Sequence, residues 1–148
     1  MSRANRIEYA LVAWLNGKSY VTALVGSRIQ PPPLPDPPAL PAIAYQRIST
    51  VRAGDMKGFA GIETVRIQFT SWGALPEDAA DVAEALRNAL DGLVWQLLTS
   101  STGSFYVQSA FLGGDRDLGA PSPELAQQRM YGVQADLLIA YSQTQPTH

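Results

Sequence analysis

The clearest periodic pattern in the chain lies in residues 76–92, PEDAADVAEALRNALDG, and predicts an amphipathic helix. Pro76 suits the first turn of a helix, and Gly92 suits the left-handed position that follows the last turn. Apolar residues recur at steps of three and four along one side, and these are Val82, Leu86, Ala89, Leu90 and Leu93. The opposite side is acidic or polar, so we expect one face against a core and the other in water.

Alternation of apolar and polar residues before and after this helix predicts β-strands. Four strands are expected, and they cover residues 42–50, a segment centred on Val65, Ile67 and Phe69, residues 105–112 and residues 129–141. The first two are close enough in sequence to pair as a hairpin with a long tip. In the turn-rich passage after the helix, Leu93, Trp95 and Leu98 either extend the helix or pack beneath the sheet.

The amino-terminal segment predicts a second amphipathic helix followed by an extended connector. Asn5 and Glu8 have the spacing of a capping box, and the apolar stripe comprises Ile7, Ala10, Leu11, Trp14 and Leu15. A further turn of helix is expected to end at Gly26. Residues 30–41 hold seven of the eleven prolines and cannot form a helix or an interior strand. A stiff spacer is the preferred interpretation of this connector, with a ligand for a proline-binding groove as the alternative.

These elements predict a single α+β domain over residues 1–142, with residues 143–148 as a disordered tail. We expect a four-stranded, mainly antiparallel sheet with helices packed on one face. The other face should be partly polar, since it carries Thr64, Arg66, Gln68 and Thr70. Such a face, or an edge of the sheet, is free to contact another subunit.

Composition removes several classes of function. The 148 residues are 46% hydrophobic and carry a formal net charge of -2, which argues against a general nucleic-acid binder. There is no cysteine, and His148 at the chain end is the single histidine, so thiol or imidazole catalysis and zinc sites are implausible. No stretch is long and apolar enough to predict a membrane span or a signal peptide. We expect a protein made in the cytoplasm, with no cofactor.

Two charged groups were weighed as sites. Asp115, Arg116 and Asp117 could hold a divalent cation, but the segment lacks further oxygen ligands at regular spacing, so an ion pair within or between subunits is preferred. The acidic residues of the central helix lie on its solvated face rather than in a pocket, so a paired acid and base is not expected there. We predict no catalytic, cofactor or metal site, and hence no enzyme.

Four blocks in order carry a resemblance to a known family. They are ALVGSRIQPPPLPDPPALPAIAYQRIS, VRIQFTSWGALPEDAADVAEALRNALDG, FLGGDRDL and GVQADLLIAY. Together, over about residues 20–141, they resemble the tail completion or tail terminator proteins of long-tailed bacteriophages. The chain departs from that pattern in its richer proline connector and in Gly119-Ala120-Pro121, where relatives often have an aromatic and acidic turn.

The resemblance implies a non-enzymatic virion part, a homohexameric ring at the head-proximal end of the tail tube. Such a ring stops addition of tube protein and presents a docking surface to the head connector or neck, while DNA passes through without specific binding. The alternatives are a neck stopper or connector-completing ring, a small-ligand-binding or hydrolytic α+β domain, and a dimeric module that pairs sheet edges.

Two glycine-bearing, charged loops are the predicted partner contacts, residues 52–61 and 113–128. The residues singled out within them are Arg52, Asp55, Met56, Lys57, Phe59, Asp115, Arg116 and Asp117. We expect both loops to make axial contacts along the ring axis, and Arg116 to pair with an acidic group in its own subunit or the next.

Overall fold

A computed structural model describes residues 6–34, 39–52, 62–101, 103–118 and 130–143. The helices are α1 (Ile7–Asn16), α2 (Ser19–Val25) and α3 (Pro76–Leu90). The strands are β1 (Ile29–Gln30), β2 (Ala42–Arg52), β3 (Ile62–Gly73), β4 (Val94–Ser100), β5 (Gly103–Leu118) and β6 (Tyr131–Gln143). The predicted α+β class and the central helix are confirmed.

The six strands form one curled, mixed sheet in the order β1-β2-β3-β6-β5-β4. The short β1 runs parallel to β2, and all the other neighbours are antiparallel. The predicted hairpin of β2 and β3 is present, with Arg52 opposite Glu63 at its tip. The expected count of four strands is wrong, because β1 and β4 were not predicted.

All three helices contribute to one core with the inward side chains of the sheet. Alternation places Val65, Ile67 and Phe69 of β3 on this inner face, beside Leu137 and Ile139 of β6. The central helix supplies Val82, Leu86 and Leu90 to the same cluster. Polar side chains therefore alternate onto the opposite face of β3, as the sequence predicts.

β4 occupies the passage that was expected to continue the helix or to be turns. The helix ends at Leu90, Asp91 is already extended, and Gly92 follows with φ of 81°, after which β4 pairs antiparallel with β5. The apolar side chains of β4 point both ways, because Leu98 is buried while Trp95 and Leu97 are exposed. This two-sided pattern has neither the helical nor the alternating period, and this is why the pattern did not predict the strand.

β5 continues six residues beyond its predicted end at Leu112. The register shifts between Gly113 and Arg116, and Gly114 adopts a φ of 71° that favours glycine. Pairing with β6 then resumes through Leu118. The Gly-Gly pair therefore marks a β-bulge within a strand, and the predicted loop does not begin at residue 113.

The start of α1 also differs from the prediction. Its N-cap is Arg6, with no side-chain capping hydrogen bond, whereas the prediction placed the cap at Asn5, which lies outside the described residues. The carboxylate of Glu8 is instead bound by Arg47 of β2. A long-range ion pair has replaced the local hydrogen bond that the spacing suggested.

Candidate interaction surface

The sheet has a second face, here called the outer face, that the helices leave uncovered. It is formed by the side chains that alternate with the core residues along each strand. On β3 and β6 these include Arg66, Gln68, Gln134 and Asp136, and on β5 and β6 they include Phe111 and Leu138. The outer face is thus divided into a polar part and an apolar part.

The polar part is held by contacts between β3, β6 and the end of β5. Arg66 lies 3.7 Å from the carboxylate of Asp136, an exposed pair of small energetic value. Arg116 donates a hydrogen bond of 2.6 Å to the Gln134 side-chain oxygen, and the Gln134 amide lies 3.4 Å from the Thr70 hydroxyl. Positive and negative charges alternate here, so this region does not form a basic surface.

The apolar part covers β4, β5 and the adjoining half of β6. Its exposed members are Val94, Trp95, Leu97, Tyr106, Phe111 and Leu138. Phe111 is paired across the strands with Leu138 and is 65% exposed, while the rings of Trp95 and Tyr106 lie 6.2 Å apart. A group of large apolar side chains of this kind, contiguous and facing solvent, indicates a protein contact surface.

The predicted contact residues fall into two groups. Arg52 is the last residue of β2, and Asp55, Met56, Lys57 and Phe59 lie outside the described residues. The structure therefore leaves that loop as a prediction.

The second group, Asp115, Arg116 and Asp117, lies in β5 after the bulge and is exposed. Asp115 forms an ion pair with Arg87 of α3, whereas Arg116 is bound to the Gln134 amide. Within its own subunit Arg116 thus has a neutral partner where an acidic one was expected. Among the described residues no group of three or more potential metal-ligating side chains occurs.

The pairing of β5 with β4 reaches only as far as Ser109, and beyond that residue the end of α3 lies beside β5. Asp91 accepts a 2.9 Å hydrogen bond from the backbone N–H of Leu112, and Arg87 donates to the carbonyl of the same residue. Gly92 donates to the carbonyl of Ala110. The bulged segment is therefore fixed to the helix, and Asp115 is fixed with it.

The most buried charged group serves the fold. The Glu8 carboxylate is 5% exposed and is bound by both Arg6 and Arg47. Burial alone raises the pKa of this carboxyl, but the hydrogen bonds and charge of Arg47 outweigh it and the net pKa is lowered. Nearby, burial and a 2.8 Å hydrogen bond to Glu63 raise the pKa of the Tyr141 phenol.

Two cavities were considered as ligand sites. One, of about 350 Å³ between α1 and β4, is mostly apolar, and its cation Lys18 lies 3.8 Å above the Trp14 ring. The other, of about 360 Å³, is lined by the Glu8–Arg47 pair together with Tyr45 and prolines. Its charged groups are bound to one another, so neither cavity presents free converging polar groups to a substrate.

The family follows from a comparison of sequences. The sequence profile of the family described as Tail completion protein gp17 matches residues 9–120, from α1 to just beyond β5. The chain belongs to this tail completion protein family. It is accordingly a structural, non-enzymatic component of the phage virion tail, and its partners are other virion proteins.

A comparison of folds finds a similar structure. The structure is similar to a chain from the virion of a native gene transfer agent (GTA) particle, with a TM-score of 0.66 and 16% sequence identity. The similarity covers 89% of this chain and 91% of that one, so nearly the whole fold is shared. No curated protein matches the sequence. Among the described residues, no helix has the length and apolar character needed to cross a membrane.

Sequence reasoning did not identify the apolar part of the outer face. The sequence of β5 did contain an indication of this surface, because apolar residues occur on both sides of the strand. Phe105 and Val107 face the core, whereas Tyr106 and Phe111 face outward. A bulge between Val107 and Ser109 reverses which alternate residues face the core. Counting every second residue along the sequence therefore does not show the two-sided pattern. A strand that is apolar on both sides would have indicated a second packing surface.

Proposed function

We propose that this tail completion protein forms a homohexameric ring at the head-proximal end of the tail tube. The ring stops further addition of tube protein and provides the surface to which the head connector or neck docks. Its cyclic contacts are heterologous, so its two ends differ and each can fit a different neighbour. Termination follows because the end away from the tube offers no second copy of the tube's own binding surface.

The observation that carries this proposal is the one-sided covering of the sheet. The helices shield one face, while the outer face exposes Trp95 and Phe111, at 64% and 65%, beside Tyr106 and Leu138. Burying such side chains against a partner stabilises an assembly by about 25 cal/mol per Å² of apolar surface. Membership of a structural virion family makes that partner another virion protein or another copy of the chain.

The charge of the chain suits a ring through which DNA moves. Six copies at -2 each give 6 × -2 = -12 for the ring. On the outer face Arg66 lies beside Asp136, and Arg116 donates a hydrogen bond to the neutral Gln134. Because the phosphate backbone is held chiefly by unopposed basic side chains, we infer that DNA passes without specific binding.

The loop of residues 52–61 and the segment from Asp115 onward are proposed as axial contacts with tube and neck. Arg52 and Glu63 end the paired part of the β2–β3 hairpin, so the loop extends from one end of the sheet. Asp115, Arg116 and Asp117 are exposed and anchored through Arg87 and Gln134. Their charges are therefore presented at fixed positions, which favours specific contacts over loose ones.

The test combines mass and activity. Purified protein is measured by multi-angle light scattering, alone and with purified tail tubes, and tube length is followed when tube protein is added in excess. We expect a hexamer, alone or at tube ends, and tubes that stop growing once it binds. A protein that remains monomeric or dimeric with tubes present, or tubes that continue to grow, would overturn the proposal. Binding to neck rings alone would indicate a stopper.

A further inference from the structure

One end of the sheet is an open strand edge. β4 pairs with β5 on one side, and no strand pairs with its other side among the described residues. The side chain of Gln96 donates a 3.5 Å hydrogen bond to the backbone carbonyl of Leu97 in this strand. Val94, Trp95 and Leu97 are exposed along this edge, at 58%, 64% and 47%.

The opposite end of the sheet is open in the same way. β1 pairs only with Ile43 and Ala44 of β2, so Tyr45–Arg52 has a strand neighbour on one side alone in the described part of the chain. Ile48 and Val51 are exposed there, at 49% and 64%. Val51 lies opposite Thr64, which is on the outer face.

The two edges differ in how far they are protected against pairing. Exposed edges are normally protected by lysine, proline, charged side chains or bulges. The seven residues of β4, VWQLLTS, include no lysine, proline or charge, and the one charge in residues 45–51 of β2, Arg47, is bound to Glu8. Pro31 and Pro32 lie beside Tyr45–Arg47, and a bulge separates Arg47 from Ser49, so this first part of the β2 edge is protected. β4 and the part of the β2 edge beyond Arg47 are therefore competent to accept another strand.

We propose that β4 of one copy pairs with β2 of the next copy, so that the sheet continues from subunit to subunit around the ring. Each chain supplies one edge of each kind, and pairing them covers the exposed Trp95 and Leu97 of one copy with the exposed Ile48 and Val51 of its neighbour. The backbone groups of both edges gain partners at the same time.

This contact joins two different edges, so it is heterologous and can repeat until a ring closes. It rests on the ring assembly proposed above and adds to it which surfaces meet. The second copy is the occupant of both edges, and no other virion protein is needed to cover them.

Cross-linking tests the pairing directly, because the chain has no cysteine of its own. The double variant Val51→Cys Leu97→Cys is treated with a short bismaleimide and separated on a denaturing gel. We expect a ladder of covalent species from dimer up to the full ring. Each single variant should remain monomeric on the gel, because like edges do not meet. Tyr20→Cys Leu75→Cys is the matched control, since both residues are exposed and lie away from the edges.

Charged variants test which edges carry the contact. Leu97→Lys and Val51→Lys should each abolish the ring in light scattering without changing the thermal unfolding midpoint by more than a few degrees. An equimolar mixture of the two should give a heterodimer and nothing larger, because one intact edge of each kind remains. Tyr20→Lys should leave the ring unchanged.

The possible failures are distinct. A wild-type ring that gives no ladder with the double-cysteine variant, or that persists in both lysine variants, would overturn edge pairing and leave the ring proposal standing. A wild-type chain that stays monomeric alone and on tube ends would overturn both. A ladder from the Tyr20–Leu75 control would also contradict the pairing, because it would place the contact elsewhere.

Discussion

At the residue scale, the ion pair of Glu8 shows how a local sequence pattern can be satisfied by a distant partner. Spacing alone suggested a helix cap, but Glu8 is 5% exposed and needs a cation to compensate its burial. Arg47, 39 positions along the chain, provides that cation and ties α1 to β2. Nothing in the local pattern specifies which arginine is involved, so the contact could be found only from the structure.

The substitution Glu8→Gln should lower the free energy of unfolding by about 2 kcal/mol at neutral pH, because it removes a charged acceptor from Arg47. The folded-state pKa of Glu8 is lowered, so its stabilisation is present above the ordinary carboxyl pKa of 4.5. That stabilisation is lost as pH falls through the folded-state pKa. Urea unfolding at stepwise lower pH should show the wild type and variant converging. The exposed Glu84→Gln is the control, and a constant difference at all pH values would contradict the assignment.

Gly73, at the end of β3, has to be a glycine because the backbone of α3 approaches it closely. A Cβ on Gly73 would lie 2.6 Å from the backbone nitrogen of Ala79 and 2.8 Å from the Cβ of Asp78. Gly73→Ala should therefore lower the free energy of unfolding by about 1–3 kcal/mol, as overpacked sites do. Gly17→Ala is the matched control, since its Cβ would be 3.4 Å from the nearest atom. Equal midpoints in urea for the two variants would refute the steric explanation.

At the scale of elements, the sequence predicted the helices and strands that carry apolar residues on one side. It missed those that carry apolar residues on both sides. The α3 stripe and the alternation of β3 follow from a single apolar face, and both are confirmed. β4 was missed because Leu97 and Leu98 point to opposite faces, and the extension of β5 was missed because Gly113-Gly114 resembles a loop. The apolar part of the outer face lies on these two strands, so the same errors concealed the candidate surface.

The attachment of β5 to α3 depends on a side chain that substitutes for a neighbouring strand. Leu112 is 1% exposed, and its N–H is bound by Asp91 at 2.9 Å. Asp91→Ala should lower the free energy of unfolding by about 1–3 kcal/mol, because a buried donor is left unsatisfied. Asp91→Asn keeps an acceptor and should cost less, and the exposed Asp81→Ala should cost least. Hydrogen exchange of the Leu112 amide should rise in the alanine variant alone, and unchanged exchange would contradict the role.

The loop between β2 and β3 can be shortened without disturbing the paired strands. Deleting residues 54–60 leaves a connection of three residues between Arg52 and Glu63, a length that antiparallel hairpins accept. We expect the thermal unfolding midpoint to stay within a few degrees and the joining of tails to heads to fall at least tenfold in a complementation assay. A five-residue Gly-Ser replacement of the same segment is the control for length. Normal joining by the deletion variant would show that the loop makes no essential contact.

At the scale of the whole molecule, the sheet has a shielded face and an open one, and this asymmetry is what suits the chain to assembly. The inner face and three helices form the core, whereas the outer face and both sheet edges have no partner in the described part of the chain. The family could be inferred from the sequence, because the resemblance rests on the order and composition of four sequence blocks. The partner surfaces could not be inferred in this way, since they depend on strand register and bulges.

The electrostatic proposal is the one most readily tested on the whole ring. With -12 for six copies, and with Arg66 opposed by Asp136, labelled duplex DNA should bind with an apparent Kd no tighter than about 10⁻⁴ M at physiological salt. Fluorescence anisotropy over a series of salt concentrations measures this. The variant Asp136→Asn removes one negative charge per chain and leaves Arg66 unopposed, so it should bind more tightly and lose affinity steeply with salt. If the wild type already shows that steep dependence, the ring grips the DNA that passes through it and the proposed neutrality of its surface is wrong.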